Sequence, residues 1–122
     1  MSDGPDVIQA FESDPGILAL IGSAERIMNG SLLDNPPYQP PVVLVELMRG
    51  TPALEGETGI LADRWDCNIG MITEGCGDDL EACIASAMEK LGFACRRILS
   101  IASGRPGWRC MALNYSGSRM RR

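Results

Sequence analysis

At 122 residues the chain can bury one hydrophobic core and is too short for two ordinary domains, so we expect a single domain over residues 1–122. Its net charge is −5, and it shows neither a secretory signal nor an apolar run long enough to cross a bilayer, so we expect a cytoplasmic protein without membrane association. The chain has no His, which excludes the commonest general base. The five cysteines show no C-x-x-C spacing of the kind found in zinc sites, so we expect buried, reduced thiols.

Two short amphipathic helices are predicted near the N-terminus. The first has Val7 and Phe11 on one face. The second begins at Asp14-Pro15, because Asp accepts hydrogen bonds from the free N–H groups of a first turn and Pro has no N–H to leave unpaired there. Gly22 is a stop signal for this helix, and a short extended piece follows it.

Two strands follow a connection over residues 29–41, which contains four prolines and is either a plain surface loop or a contact with a neighbouring subunit. Residues 42–48 are rich in β-branched and aliphatic side chains, and residues 64–72 alternate between apolar and polar, which is typical of strands. The glycines and proline of residues 50–59 predict a long loop between them. Such a loop costs ordering entropy, so it is either an ordinary mobile loop or a loop that another subunit holds through Ala53-Leu54.

The best-defined predicted element is a helix that begins at Asp78. Asp78 and Glu81 have the spacing of a capping box, and apolar residues recur every three or four positions as far as Leu91. Gly92 has the position of a left-handed cap that ends the helix. The adjacent carboxylates of Asp78 and Asp79 are interpreted as charges at a helix start rather than as a catalytic pair.

Two further strands are predicted, over residues 93–103 with an irregularity at Arg96-Arg97, and over residues 108–115. Both faces of the second strand are partly apolar, so we expect it to lie inside the sheet. The order of elements predicts an α+β fold, with an antiparallel or mixed β-sheet and helices packed on one face.

Charge is divided unevenly along the chain. Residues 1–89 contain all 16 acids and three arginines, a net −13, whereas residues 90–122 contain one lysine, seven arginines and no acid, a net +8. The arginines follow no nucleic-acid recognition motif. Either the two parts neutralise each other within a subunit, or they pair between subunits, and DNA readout is a third interpretation.

From Val42 to Tyr115, about three-fifths of the chain, the sequence resembles the small tail-completion, or tail terminator, proteins of tailed phages. The matching pieces are Glu46-Leu47 with Thr51-Pro52-Ala53-Leu54, the alternating strand from Trp65 to Ile72, the helix end Glu89-Lys90-Leu91-Gly92-Phe93, and Met111-Ala112-Leu113-Asn114-Tyr115. The N-terminal part agrees more loosely. This resemblance implies a tail-terminator-like fold.

The resemblance also implies a structural virion protein rather than an enzyme. Subunits of this family form a ring, usually of six copies, that caps the finished tail tube, stops its elongation and joins it to the head connector. The implied partners are further copies of the chain, the tail tube protein, the head-tail connector protein and, if the tail is contractile, the tail sheath, while DNA passes through the lumen without specific binding. The implied location is the tail or neck of the virion, after assembly in the host cytoplasm. A stopper or adaptor subunit elsewhere in the neck is the alternative.

No catalytic, cofactor-binding or metal-binding residue is predicted. The residues predicted to contact other subunits share either a place in the predicted 50–59 loop or a positive charge near the C-terminus. They are Thr51, Pro52, Ala53, Leu54, Arg96, Arg97, Arg105, Arg119, Arg121 and Arg122.

Overall fold

The computed structural model describes residues 6–30, 39–56, 59–75, 77–101 and 106–120, with the backbone alone for residues 49–56, 59–63, 119 and 120. The described elements, in chain order, are α1 Val7–Glu12, α2 Pro15–Ile21, a 3-10 turn Ala24–Arg26, β1 Ile27–Asn29, β2 Val42–Gly56, β3 Gly59–Glu74, α3 Asp78–Lys90, β4 Ala94–Ile101 and β5 Trp108–Met120. The predicted α+β class and the order of helices and strands are confirmed.

The second helix begins and ends where the sequence predicts. The Asp14 Oδ1 atom accepts hydrogen bonds from the backbone N–H groups of Gly16 at 2.9 Å and Ile17 at 3.2 Å. Pro15 occupies the first turn, where its missing N–H leaves no group unpaired. Gly22 follows the helix with a φ of 89°, a backbone conformation that glycine adopts without a steric penalty.

The five strands form one mixed sheet with the order β1-β2-β3-β5-β4. β1 is parallel to β2, and the other neighbouring pairs are antiparallel. β5 lies between β3 and β4, which confirms the predicted interior position of that strand. β4 is an edge strand, and every one of its residues is exposed.

The predicted long loop over residues 50–59 is wrong. β2 runs to Gly56, β3 starts at Gly59, and the register pairs these two glycines, so the two strands form one continuous hairpin. β1 pairs only with residues 43–45, so the rest of β2 is a sheet edge, and register shifts in β2 mark bulges. A sheet edge and a bulge are the two places where a strand accommodates a residue such as Pro52.

The β2–β3 hairpin continues well beyond the core. Among the described side chains, the last ones on these strands that pack with the core are Leu47 and Trp65. β2 extends to Gly56, so at about 3.3 Å per residue the hairpin continues roughly 30 Å further. β5 pairs with β3 as far as Ala62, which leaves only the tip two-stranded. We call residues 49–63 the arm.

The core lies between the helices and one face of the sheet. The predicted alternation of β3 is confirmed, because Cys67, Ile69 and Met71 are at most 1% exposed. The same cluster includes Val7, Phe11, Ile17, Ile21, Val43, Val45, Leu80, Ile84, Met88, Leu113 and Tyr115. On the opposite face, which we call the open face, a smaller apolar cluster is formed by Val42, Leu44, Ile72 and Cys110, with Met28 and Trp108 packed against it.

The third helix differs from the prediction at its start. Gly77 is the N-cap and Asp78 is the first helical residue, with no side-chain cap, so the predicted capping box is wrong. Asp78 and Glu81 instead lie in the first turn, where the helix dipole favours negative charge. The predicted end is confirmed, because Gly92 has a φ of 87° and the N–H of Phe93 donates to the last turn of the helix.

Candidate assembly surfaces

The residues predicted to form interfaces lie on two separate elements. The first group, Thr51, Pro52, Ala53 and Leu54, lies in the arm, where the structure describes the backbone alone. Arg96 and Arg97 lie in β4, and the backbone of Arg119 lies in β5. Arg105, Arg121 and Arg122 lie outside the described residues. In the sheet order, β3 and β5 separate β2 from β4, so the arm group lies apart from Arg96 and Arg97. Arg119 lies beside the arm, because it is the register partner of Asp63, which itself pairs with Pro52.

Arg96 and Arg97 line a groove on the open face. The β4–β5 register shifts between Cys95 and Arg97, which is the predicted irregularity and has the form of a bulge. A bulge adds a residue to one strand and changes the direction of side chains, which accounts for two adjacent arginines at one groove. The volume of the groove is about 430 Å³. Its other lining residues are Asn68, Leu99, Ala112, Leu113 and Asn114.

A row of polar residues crosses the open face beside this groove. Glu46, Asn68, Asn114 and Arg97 are register partners across β2, β3, β5 and β4. The Asn114 Nδ2 atom donates to Asn68 Oδ1 at 2.7 Å, and the Asn68 Nδ2 atom donates to Glu46 Oε1 at 3.4 Å. Both amides direct their N–H groups away from the arginine, toward the carboxylate at the far end of the row. The charge of Glu46 is therefore engaged by an amide and not by Arg97.

The described residues do not neutralise the positive charge of the groove. Their ion pair is between Arg64 and Asp66, at 3.7 Å, and no described carboxylate forms one with Arg96 or Arg97. Intramolecular neutralisation therefore does not operate at these two positions within the described part of the chain. Guanidinium groups bind carboxylates through charge-assisted hydrogen bonds, so the groove is suited to an acidic ligand.

β4 also exposes large apolar side chains beside the arginines. Ile98 is 51% exposed, Leu99 is 47% exposed and Ile101 is 38% exposed. Among the described strands, none pairs with β4 on its outer side. An edge strand with apolar side chains and free backbone groups favours contact with another chain. These three exposed residues were not predicted from the sequence. Ile98 and Leu99 are adjacent, so a strand points them to opposite faces, and this was the signal that one of them lies away from the core.

The fold has a counterpart among solved structures. A chain in the structure of the virion of a native gene transfer agent particle matches with a TM-score of 0.60 and 17% sequence identity, over 92% of this chain and 90% of that chain. The two chains share a fold. No protein-family model matches the chain, and no curated protein matches it.

The four described cysteines are free and differ in burial. Cys67 and Cys110 are buried as predicted, whereas Cys95 is exposed, so the prediction of buried thiols is wrong for this residue. Burial raises the pKa of the Cys67 thiol to about 12, with the Glu46 carboxylate as a smaller cause, and burial also raises the pKa of Cys110. A thiol that stays protonated is a poor nucleophile, so these two side chains act as small apolar groups in the fold.

The described residues include neither a metal-binding cluster nor a membrane-spanning helix. None of them belongs to a group of three or more Cys, Asp or Glu side chains that could hold a metal ion. Asp78 and Asp79 are both exposed in the first turn of α3, where the helix dipole accounts for them. Within the described part of the chain, no helix has the length and apolar character needed to span a membrane.

Proposed function

We propose that this chain is a structural virion protein, the subunit of a ring that caps the tail tube, stops its elongation and joins it to the head connector. The observation that carries the proposal is the fold, which extends over 92% of the chain and is shared with a chain of a gene transfer agent virion. The sequence resemblance to tail terminator proteins runs through the same elements, from β2 to β5, and provides the specific role. The location that follows is the tail or neck of the virion.

The two separate surfaces support the formation of a ring. A closed ring of identical subunits needs two different and complementary patches on each copy. Beyond the three residues of β2 that pair with β1, the outer edge of β2 and the outer edge of β4 lie on opposite sides of the sheet, and no described strand pairs with either. The division of charge along the sequence, −13 before residue 90 and +8 after it, supports attraction between an acidic segment of one copy and a basic segment of the next. Six copies is the number that the resemblance implies.

The partners follow from a ring at the end of a tube. They are further copies of the chain, the tail tube protein on one side, the head-tail connector protein on the other and, in a contractile tail, the sheath. DNA passes through the lumen without specific binding, because a subunit with a net charge of −5 repels phosphate groups overall.

Negative-stain electron microscopy of purified tail tubes mixed with the protein tests this proposal. We expect extra density at the tube end away from the baseplate, and no binding to tubes that already carry a terminator ring. Binding to portal complexes alone would contradict the terminator role and favour a stopper or adaptor subunit. Binding to neither structure would contradict a role in virion assembly.

A further inference from the structure

We propose that the arm of a second copy docks along β4, over the groove that Arg96 and Arg97 line. The inference deepens the proposed ring and rests on it for the choice of a second copy as the occupant. It joins the arm to Arg96 and Arg97 in one heterologous contact, in which the arm of each subunit meets β4 of the next.

The receiving surface has the size and the charge for this contact. β4 contains eight residues, so at about 3.3 Å per residue its exposed edge is roughly 26 Å long, close to the length of the arm. The surface combines the charges of Arg96 and Arg97, which pair with no described carboxylate, with the exposed apolar side chain of Leu99. A complementary ligand must therefore be extended, acidic and partly apolar.

The arm has this character. Its residues 49–63 contain three acids and one arginine, a net −2, whereas β4 contains two arginines and no acid. The arm sequence also supplies two adjacent apolar residues, Ala53 and Leu54. The acids of the chain all precede residue 90, so a second copy can supply the carboxylates that the described part of the first does not bring to the groove.

The backbone of the arm indicates how the contact forms. Pro52 has no N–H, and the register shifts in β2 interrupt its regular pairing, so a continuous backbone ladder with β4 is disfavoured. Side chains of the arm therefore make the proposed contact, with carboxylates on the two guanidinium groups and an apolar residue on Leu99. A symmetric pairing of β4 with β4 is disfavoured, because it would bring four arginines together without a carboxylate.

Photo-crosslinking in the full-length chain tests the inference. A photoreactive phenylalanine analogue replaces Leu99 in the groove or, as a control, Leu20 on α2, which is 41% exposed. Mass spectrometry then identifies the crosslinked peptides. We expect the probe at position 99 to crosslink a second copy within the arm, residues 49–63, and the probe at position 20 not to reach that segment. Crosslinks from position 99 to β4 or to the helices of a second copy, or none between copies, would overturn the inference.

Charge reversal provides the second test. R97E should lower the yield of crosslinks between copies at least about tenfold, because it replaces attraction to the acidic arm by repulsion. R109E makes the same change in net charge at an exposed position of β5 outside the groove, and should leave the yield unchanged. Equal yields for the two variants would overturn the inference.

Tube capping is measured separately, so that failure of the inference can be told from failure of the proposed function. Wild-type crosslinks between copies without capping would reject the proposed function alone. Capping without crosslinks to the arm would reject the inference alone.

Discussion

Cys67 is the residue whose acid–base behaviour the fold changes most clearly. Its side chain is fully buried between the sheet and the helices, and the pKa of its thiol rises from 9.0 to about 12. Above pH 9 the unfolded chain loses this proton while the folded chain keeps it, so the free energy of unfolding falls as the pH rises from about 9 to about 12. Burial also raises the pKa of Tyr115 to about 12, which acts in the same direction above pH 10.

Cys67→Ala should make the protein less sensitive to alkaline pH. Each pH unit between the two pKa values is worth about 1.36 kcal/mol, so the loss of stability between pH 7.5 and pH 10.5 should be about 2 kcal/mol smaller in the variant. Urea unfolding at the two pH values, with a reducing agent present, measures this difference. Ile69→Ala, in the same buried row and without a titratable group, should keep the wild-type pH dependence. Parallel pH curves for C67A and wild type would refute the assignment.

At single residues, the success of sequence prediction depends on how local the cause is. Asp14 and Gly22 were predicted correctly, because a cap depends on hydrogen bonds and φ values within one turn. The row from Glu46 to Arg97 was not predicted, because it requires the register of four strands that are distant in the sequence. The exposure of Cys95 was likewise missed, since it depends on β4 being an edge strand.

At the scale of elements, the arm is the feature that sequence reasoning misjudged. Glycine and proline are poorly tolerated in a strand that is paired on both sides, so in such a position they indicate a loop. An edge strand or a bulge accommodates them, so there they do not. β2 has β1 beside it over just three residues, so Pro52 and the bulges around it are accommodated on a sheet edge. The assignment of residues 51–54 as an interface remains a prediction, now placed on a hairpin that extends beyond the core.

Leu54→Lys should disrupt association while leaving the subunit folded. The substitution removes an apolar residue from the arm and adds a positive charge that is repelled by Arg96 and Arg97 of the next copy. We expect association to weaken at least about tenfold in analytical ultracentrifugation. A melting temperature close to that of wild type would show that the subunit stays folded. Met48→Lys is the control, since Met48 is a 41% exposed residue of the same strand that precedes the arm. Equal weakening by both variants would show that the arm has no special part in association.

At the scale of the whole molecule, the periodicity of apolar residues in the sequence predicted the fold more fully than it predicted the exposed surfaces. The alternation in β3 and the apolar stripe of α3 each indicated which face is buried, and together they predicted helices on one side of a mixed sheet. The groove could not be predicted, because it arises from the position of β4 beside β5 and from a bulge in their register. The function that we propose depends on complementary surfaces of the subunit.

Growth of tail tubes from purified tube protein, followed by electron microscopy over time, tests this account most directly. The account predicts that adding this protein stops elongation, so that tubes remain at the length reached at the time of addition and carry a ring at the growing end. Tubes that continue to lengthen at the same rate, with the protein remaining unbound in solution, would contradict it.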